Sequence, residues 1–201
     1  MTAAASAGGA GDAGRAGGER APARGGGKVP RVDYHKYLHG GAAGRRELVH
    51  GFGDALREHG CARLQGHGEV PDAAAAAAVG AELLAALEEY FGLPAAALQG
   101  LVEAGAERSA SGEAGEPARL RSLLVLVPEV PPGARVRSAG GEWSAVSANP
   151  GELLAVPGAA LARLTAGVVP AVELGLPDGT LAWCVCIPAG AELSPRPEFA
   201  C

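Results

Sequence analysis

The spacing of large apolar side chains changes once along this chain, and that change constrains its fold more than any other feature. Between residues 45 and 91 they recur every three or four positions, the period of an amphipathic helix. From Leu120 onward they form short runs separated by glycine and proline, which is the pattern of strands and turns. The 201 residues therefore predict an α+β protein with one ordinary core.

Two helices are predicted in the first part. One covers residues 45–59 and ends before Gly60, and the other runs from Asp72 to about Phe91. Their apolar seams are Leu48, Phe52, Leu56, Val79, Leu83, Leu87 and Tyr90. Cys61–Gln65 is predicted to be a short strand. The predicted strands of the second part are 123–127, 134–137, 142–146, 153–156 and 181–187, which suggest a sandwich or jelly roll.

Composition divides the chain into four segments. Residues 1–28 are an Ala/Gly-rich tail with no large apolar side chain after Met1, so we expect disorder there. The tail has some transit-peptide character, which Asp12 and Glu19 oppose. The other segments are a helical region, a flexible linker and a β region, at 29–102, 103–119 and 120–195.

Charge and cysteine content exclude several classes of function. The net charge of −5 gives no electrostatic footprint for nucleic acid or an anionic membrane. No apolar run is long enough to span a bilayer. Four cysteines in a chain of this length do not indicate a secreted disulfide scaffold. We therefore expect a cytoplasmic protein, with an unidentified protein as its partner if it has one.

A block of the first part carries a resemblance to a known family. His59–Gly68 is similar to the "His-Gly-Phe-Phe-x-x-x-Asn-His-Gly" signature of the Fe(II)/2-oxoglutarate-dependent oxygenases, the group of isopenicillin N synthase. Val29–Asp33 resembles the opening strand of their N-terminal region, and Tyr90–Pro94 resembles the end of a helix there. In the second part, residues 140–143, 149–158 and 161–167 are similar to the family's hairpin and later core motifs.

The resemblance implies a fold and a chemistry. The fold is an N-terminal helical lobe packed on a double-stranded β-helix, or jelly roll. The chemistry needs two histidines and one carboxylate on one Fe(II) ion, with open positions for 2-oxoglutarate and O₂. The family's middle segment is nearly absent between Pro94 and Leu120, so the resemblance implies a truncated core.

The positions that carry this chemistry are changed here. The family's His-x-Asp aligns with residues 116–122, which contain neither residue, and its distal histidine aligns near Glu173. The Arg-x-Ser pair that holds 2-oxoglutarate aligns near Thr180 and Ala182, and a hydroxyl cannot replace a bidentate guanidinium. No histidine follows His67. The sequence therefore predicts that the catalytic, cofactor-binding and metal-binding residues of the family are missing. It predicts a binding or scaffold role instead.

Two alternatives remain open. One is an active dioxygenase whose ligands are rearranged, for example Glu173 with the N-terminal histidines His35 and His39. The other is a decayed gene product without a selected function, which poor packing and unpaired strand edges would favour.

Other chemically capable residues have simpler interpretations. Asp33, His35 and His39 could bind a metal ion weakly, because a helical turn would place the two histidines on one face. Cys184 and Cys186 share a strand face and are expected to be buried small side chains rather than zinc ligands. His59 and His67 are predicted to have turn or packing roles, and Glu142 and Trp143 to pack in a hairpin. Arg119 and Arg121 are predicted to be solubilising or anion-binding. Cys201 is predicted to lie at a frayed end of the chain.

Overall fold

The computed structural model describes residues 29–102, 106–110, 120–138 and 141–199. Predictions for the tail, for Arg119 and for Cys201 fall outside these residues. The helices are α1 (Tyr34–His39), α2 (Gly41–His59), α3 (Ala73–Phe91) and α4 (Ala159–Leu164). The strands are β1 (Arg31–Asp33), β2 (Ala62–Gln65), β3 (Glu107–Ala110), β4 (Ser122–Val127), β5 (Arg135–Ser138), β6 (Ser144–Ala145), β7 (Leu153–Pro157), β8 (Val172–Gly175) and β9 (Leu181–Cys186).

Helices α2 and α3 confirm the two predicted helices. Helix α2 begins at Gly41 rather than at residue 45. It ends at His59 and is capped by Gly60, whose φ of 72° is the left-handed conformation that glycine adopts readily. Asp72 caps α3 by accepting a hydrogen bond from the Ala75 N–H at 2.8 Å. Within the described residues, no helix is long and apolar enough to cross a membrane.

The strands form two sheets, and the larger one contains strands from both halves of the chain. The large sheet has the order β1-β2-β7-β4-β9-β3, and the small sheet has the order β6-β5-β8. Strands β1 and β2 come from the helical region, yet β2 pairs with β7 of the β region in antiparallel register. The large sheet therefore joins the helical region and the β region, which composition had separated.

Apolar side chains lie on both faces of the large sheet. One buried cluster joins α2 and α3 to this sheet through residues such as Phe52, Leu83 and Leu126. A smaller one contains Val127 and Leu154 of the large sheet with Val136 of the small sheet. The molecule thus has a helical layer, a large sheet and a small sheet, which agrees with the predicted α+β class.

The linker prediction is wrong at Glu107–Ala110. These residues form β3, which pairs with β9 in antiparallel register from Glu107–Cys184 to Ala110–Leu181. These four residues carry no strand signal because they are small or charged, and the strand forms only because the edge of an existing sheet supplies its backbone hydrogen bonds. Ala106 is described and buried, and the rest of the predicted linker (103–105 and 111–119) is outside the described residues.

Candidate functional site

Glu173, which aligns with the distal iron histidine of the resemblance, points away from the space between the sheets. Its Oε2 lies 2.5 Å from Nη2 of Arg137, its register partner on β5. Both side chains are substantially exposed, at 54% and 41%. Since side chains alternate along a strand, its neighbours Val172 and Leu174 pack instead against the cluster between the sheets. Glu173 therefore belongs to a surface ion pair.

The two positions that align with the 2-oxoglutarate clamp are Thr180 and Ala182. The Thr180 hydroxyl donates to the carbonyl oxygen of Pro177 at 2.6 Å, which closes the turn before β9. Ala182 is only 2% exposed and lies in the apolar cluster between the sheets. Neither side chain offers the positive charge that a dicarboxylate requires.

Arg121 is the charged residue in the described part (120–122) of the segment that aligns with the His-x-Asp motif. Its guanidinium lies 2.5 Å from Glu107 and donates to the carbonyl oxygen of Ile187 at 2.7 Å. Arg121 thus connects the start of β4 to β3 and to the end of β9. Because Glu107 already balances its charge, the pairing weakens the alternative of an anion-binding rim.

The cysteines of β9 are packed thiols. Cys184 and Cys186 are fully buried on one strand face, as their spacing predicted. The hydrogen bond that the Cys186 thiol makes with Cys184 and burial both raise the pKa of Cys186. Burial also raises the pKa of Cys61, in the cluster between the sheets, to about 11. The thiols of Cys61 and Cys186 are therefore protonated at neutral pH, which is typical of structural cysteines rather than of metal ligands or nucleophiles.

Among the described residues, no three side chains of His, Cys, Asp or Glu lie close enough together to hold a metal ion. The alternative that combines Glu173 with His35 and His39 is therefore not assembled in this structure. His35 and His39 lie on α1, their ring centroids 4.6 Å apart. Asp33 caps α1 and accepts from Gln65 at 3.1 Å. His59 is exposed at the last residue of α2.

His67 occupies the turn after β2 and is half-buried. Both ring nitrogens are shielded from solvent and lack a hydrogen-bond partner in the described structure. Burial lowers the pKa of His67, and the nearby backbone of Gly151 and Gly68 opposes this only in part. The side chain is therefore neutral at pH 7, as a packing role requires.

The lowered pKa of His67 predicts a loss of stability in mild acid. The unfolded chain gains a proton near pH 6.5, whereas the folded chain resists protonation until a lower pH. The free energy of unfolding should therefore fall as the pH drops from about 6.5 through the folded-state pKa. Denaturant unfolding at pH 7.5 and 5.5 measures this fall. His67→Gln should reduce it, whereas His50→Gln, at an exposed site, should leave it unchanged.

A cleft of about 940 Å³ opens beyond the C-terminal end of β8. Its walls are the turn after β2, the β4–β5 loop and the β8–β9 loop, including Thr180. The carboxylates of Glu69, Glu129 and Asp178 line it, and no lysine or arginine is among the lining residues. None of the three makes an ion pair with the described part of the chain. Sequence reasoning missed this site because its acidic residues lie on three separate loops.

Comparisons with known proteins agree with the architecture. No protein-family model matches the sequence, and no curated protein is significantly similar to it. A full-length Neurospora crassa protein crystallised with alpha-KG superposes with a TM-score of 0.66 at 11% identity, over 86% of this chain and 89% of that chain. The rice dioxygenase for auxin oxidation superposes with a TM-score of 0.61 at 16% identity, over 86% and 87%.

A third solved structure is dioxygenase for auxin oxidation 1 of Arabidopsis thaliana, in a binary complex with 2-oxoglutarate. It superposes with a TM-score of 0.60 at 12% identity, over 86% of this chain and 99% of that chain. At such low identities the likeness shows the fold alone. The chain thus has the jelly-roll-like, mixed α/β fold of 2-oxoglutarate oxygenases, as the sequence resemblance predicted.

Proposed function

We propose that this chain is a degenerate, non-catalytic member of the Fe(II)/2-oxoglutarate oxygenase family, related to isopenicillin N synthase and acting in binding. The outward ion pair of Glu173 with Arg137 carries the proposal, because it occupies the position aligned with the distal iron ligand. The apolar surroundings of Ala182 support it, since no cation is available there for 2-oxoglutarate. The residues at the aligned positions therefore do not fit Fe(II) and 2-oxoglutarate.

The proposal includes a helical lobe on a truncated jelly roll. The small sheet supports truncation, since its described strands are only β6, β5 and β8. The two buried clusters favour a stably folded binding protein over a decayed gene product, because large side chains such as Phe52 and Leu83 are fully enclosed.

The cleft beyond β8 is the surface that we assign to binding. Its three unpaired carboxylates, without a balancing lysine or arginine, would attract a positively charged ligand. Prolines at positions 71, 128 and 177 provide fixed apolar walls around these charges. A basic segment of a partner protein, or a small organic cation, has the required chemistry.

The test of the non-catalytic assignment is turnover of 2-oxoglutarate. The purified chain, supplied with Fe(II), ascorbate, O₂ and 2-oxoglutarate, should release succinate no faster than the same mixture without protein. Succinate formation that rises with protein concentration and disappears in Glu173→Ala would contradict the proposal and restore the rearranged-ligand alternative. An Arg137→Ala variant is the matched control, because it breaks the same ion pair and leaves the carboxylate in place.

A further inference from the structure

Two exposed histidines lie next to each other on α1. His35 and His39 are one helical turn apart, and their ring centroids are 4.6 Å apart with the ring planes inclined by 48°. Both side chains are exposed. Neither imidazole makes a hydrogen bond or ion pair with the described part of the chain. The two rings are therefore accessible and available.

The segment that carries the pair is held in place on several sides. Tyr34 and Tyr37, on the opposite face of α1, are buried in the core. Lys36 is bound to Glu47 of α2 at 3.0 Å. The backbone of Gly66 approaches His35 so closely that a β-carbon at position 66 would lie 2.7 Å from the His35 β-carbon. Anchoring of this kind lowers the entropy lost when both rings bind one ion.

The charges around the pair do not oppose a cation. Lys36 is the positive side chain between the two histidines, and the Glu47 carboxylate compensates it through contacts of 3.0 and 3.3 Å. Asp33, at the start of the helix, adds a negative charge nearby. The local field is therefore neutral to slightly negative.

We propose that His35 and His39 chelate one divalent transition-metal ion, of the class of Cu²⁺, Ni²⁺ or Zn²⁺. Imidazole nitrogen is a preferred ligand of these ions, and two histidines at i and i+4 bind a metal from one helix face. With two protein ligands, the ion keeps positions for water or for a side chain of another molecule. The site lies beside β1 and β2, whereas Glu173 belongs to the small sheet, so the inference goes beyond the proposed function and does not depend on it.

Calorimetric titration of the full chain with Cu²⁺, Ni²⁺ and Zn²⁺ at pH 7.5 tests the site, using protein without a polyhistidine tag. One ion should bind per chain, most tightly for Cu²⁺. His35→Ala and His39→Ala should each weaken binding by about tenfold or more, and their double variant should abolish it.

Two further variants keep the test specific. His50→Ala and His59→Ala remove exposed histidines of α2 and should leave the affinity unchanged. Circular dichroism should show that all four single variants are folded. Wild-type affinity in the His35 and His39 variants, loss of binding in the His50 or His59 variant, or no binding by the wild-type chain would each overturn the proposal.

Discussion

Replacement of Glu152 by alanine is expected to lower the free energy of unfolding by about 3–5 kcal/mol, because it leaves a buried positive charge without its partner. Glu152 is 2% exposed and lies 3.4 Å from Arg63 of β2, which is itself buried. It also contacts Arg31 of β1 at 2.8 Å and accepts hydrogen bonds from Asn149. This one carboxylate therefore connects the first two strands to the loop before β7.

Urea unfolding of the wild-type chain and of Glu152→Ala measures the loss. Glu173→Ala is the matched control, because it also breaks a Glu–Arg pair but at an exposed site, where about 0–1 kcal/mol is expected. Equal losses for the two variants would contradict the assigned role of burial.

The contribution of Glu152 to the free energy of unfolding changes with pH in a defined direction. Burial alone would raise the pKa of Glu152, but the hydrogen bonds from Asn149 and the charges of Arg63 and Arg31 outweigh it and lower the pKa. The stabilisation is therefore complete above the unfolded-state pKa of about 4.3 and is lost as the pH falls through the lower folded-state value. Glu152→Ala should lack this part of the acid transition.

Glu88→Ala is expected to lower the free energy of unfolding by about 3 kcal/mol, the second largest effect among these substitutions. The Glu88 carboxylate is buried at the end of α3 and accepts backbone N–H groups of the next turn, from Ala96 at 3.0 Å, Leu98 at 2.6 Å and Gln99 at 2.8 Å. Without it, these donors lose their partner inside the protein, and each such loss is costly.

The neighbouring residue provides the control for Glu88. Glu89 is exposed and pairs with Arg45 at 2.7 Å, so Glu89→Ala should cost about 0–1 kcal/mol. Thermal unfolding followed by circular dichroism distinguishes the two variants. A Glu88→Ala protein as stable as Glu89→Ala would show that the turn at residues 94–101 does not need the carboxylate.

The parts of the fold that local patterns specify could be predicted from the sequence. Helices α2 and α3 followed from the spacing of Leu48, Phe52 and Leu83, and β4 followed from its continuous apolar run. The paired thiols of β9 lie on one face because strand side chains alternate.

The remaining features depend on contacts between distant residues. Strand β3 exists because β9 offers a free edge, and nothing in its four residues signals this. Arg63 and Glu152 are 89 positions apart, so neither predicts the other. The cleft combines loops that follow β2, β4 and β8, and its acidic character appears only after folding.

Anaerobic calorimetric titration with Fe(II) and 2-oxoglutarate together, followed by the visible absorption of the iron chelate, tests the central claim most directly. The wild-type chain and its His35→Ala, His39→Ala double variant are titrated in parallel, because the wild-type chain keeps the ligands of the rearranged-ligand alternative and the double variant shows what the proposed surface site contributes. The account predicts no chelate absorption and no joint binding at millimolar ligand. Stoichiometric binding of both, with the absorption band of an iron–2-oxoglutarate chelate, would contradict it and show that the jelly roll keeps a metal centre.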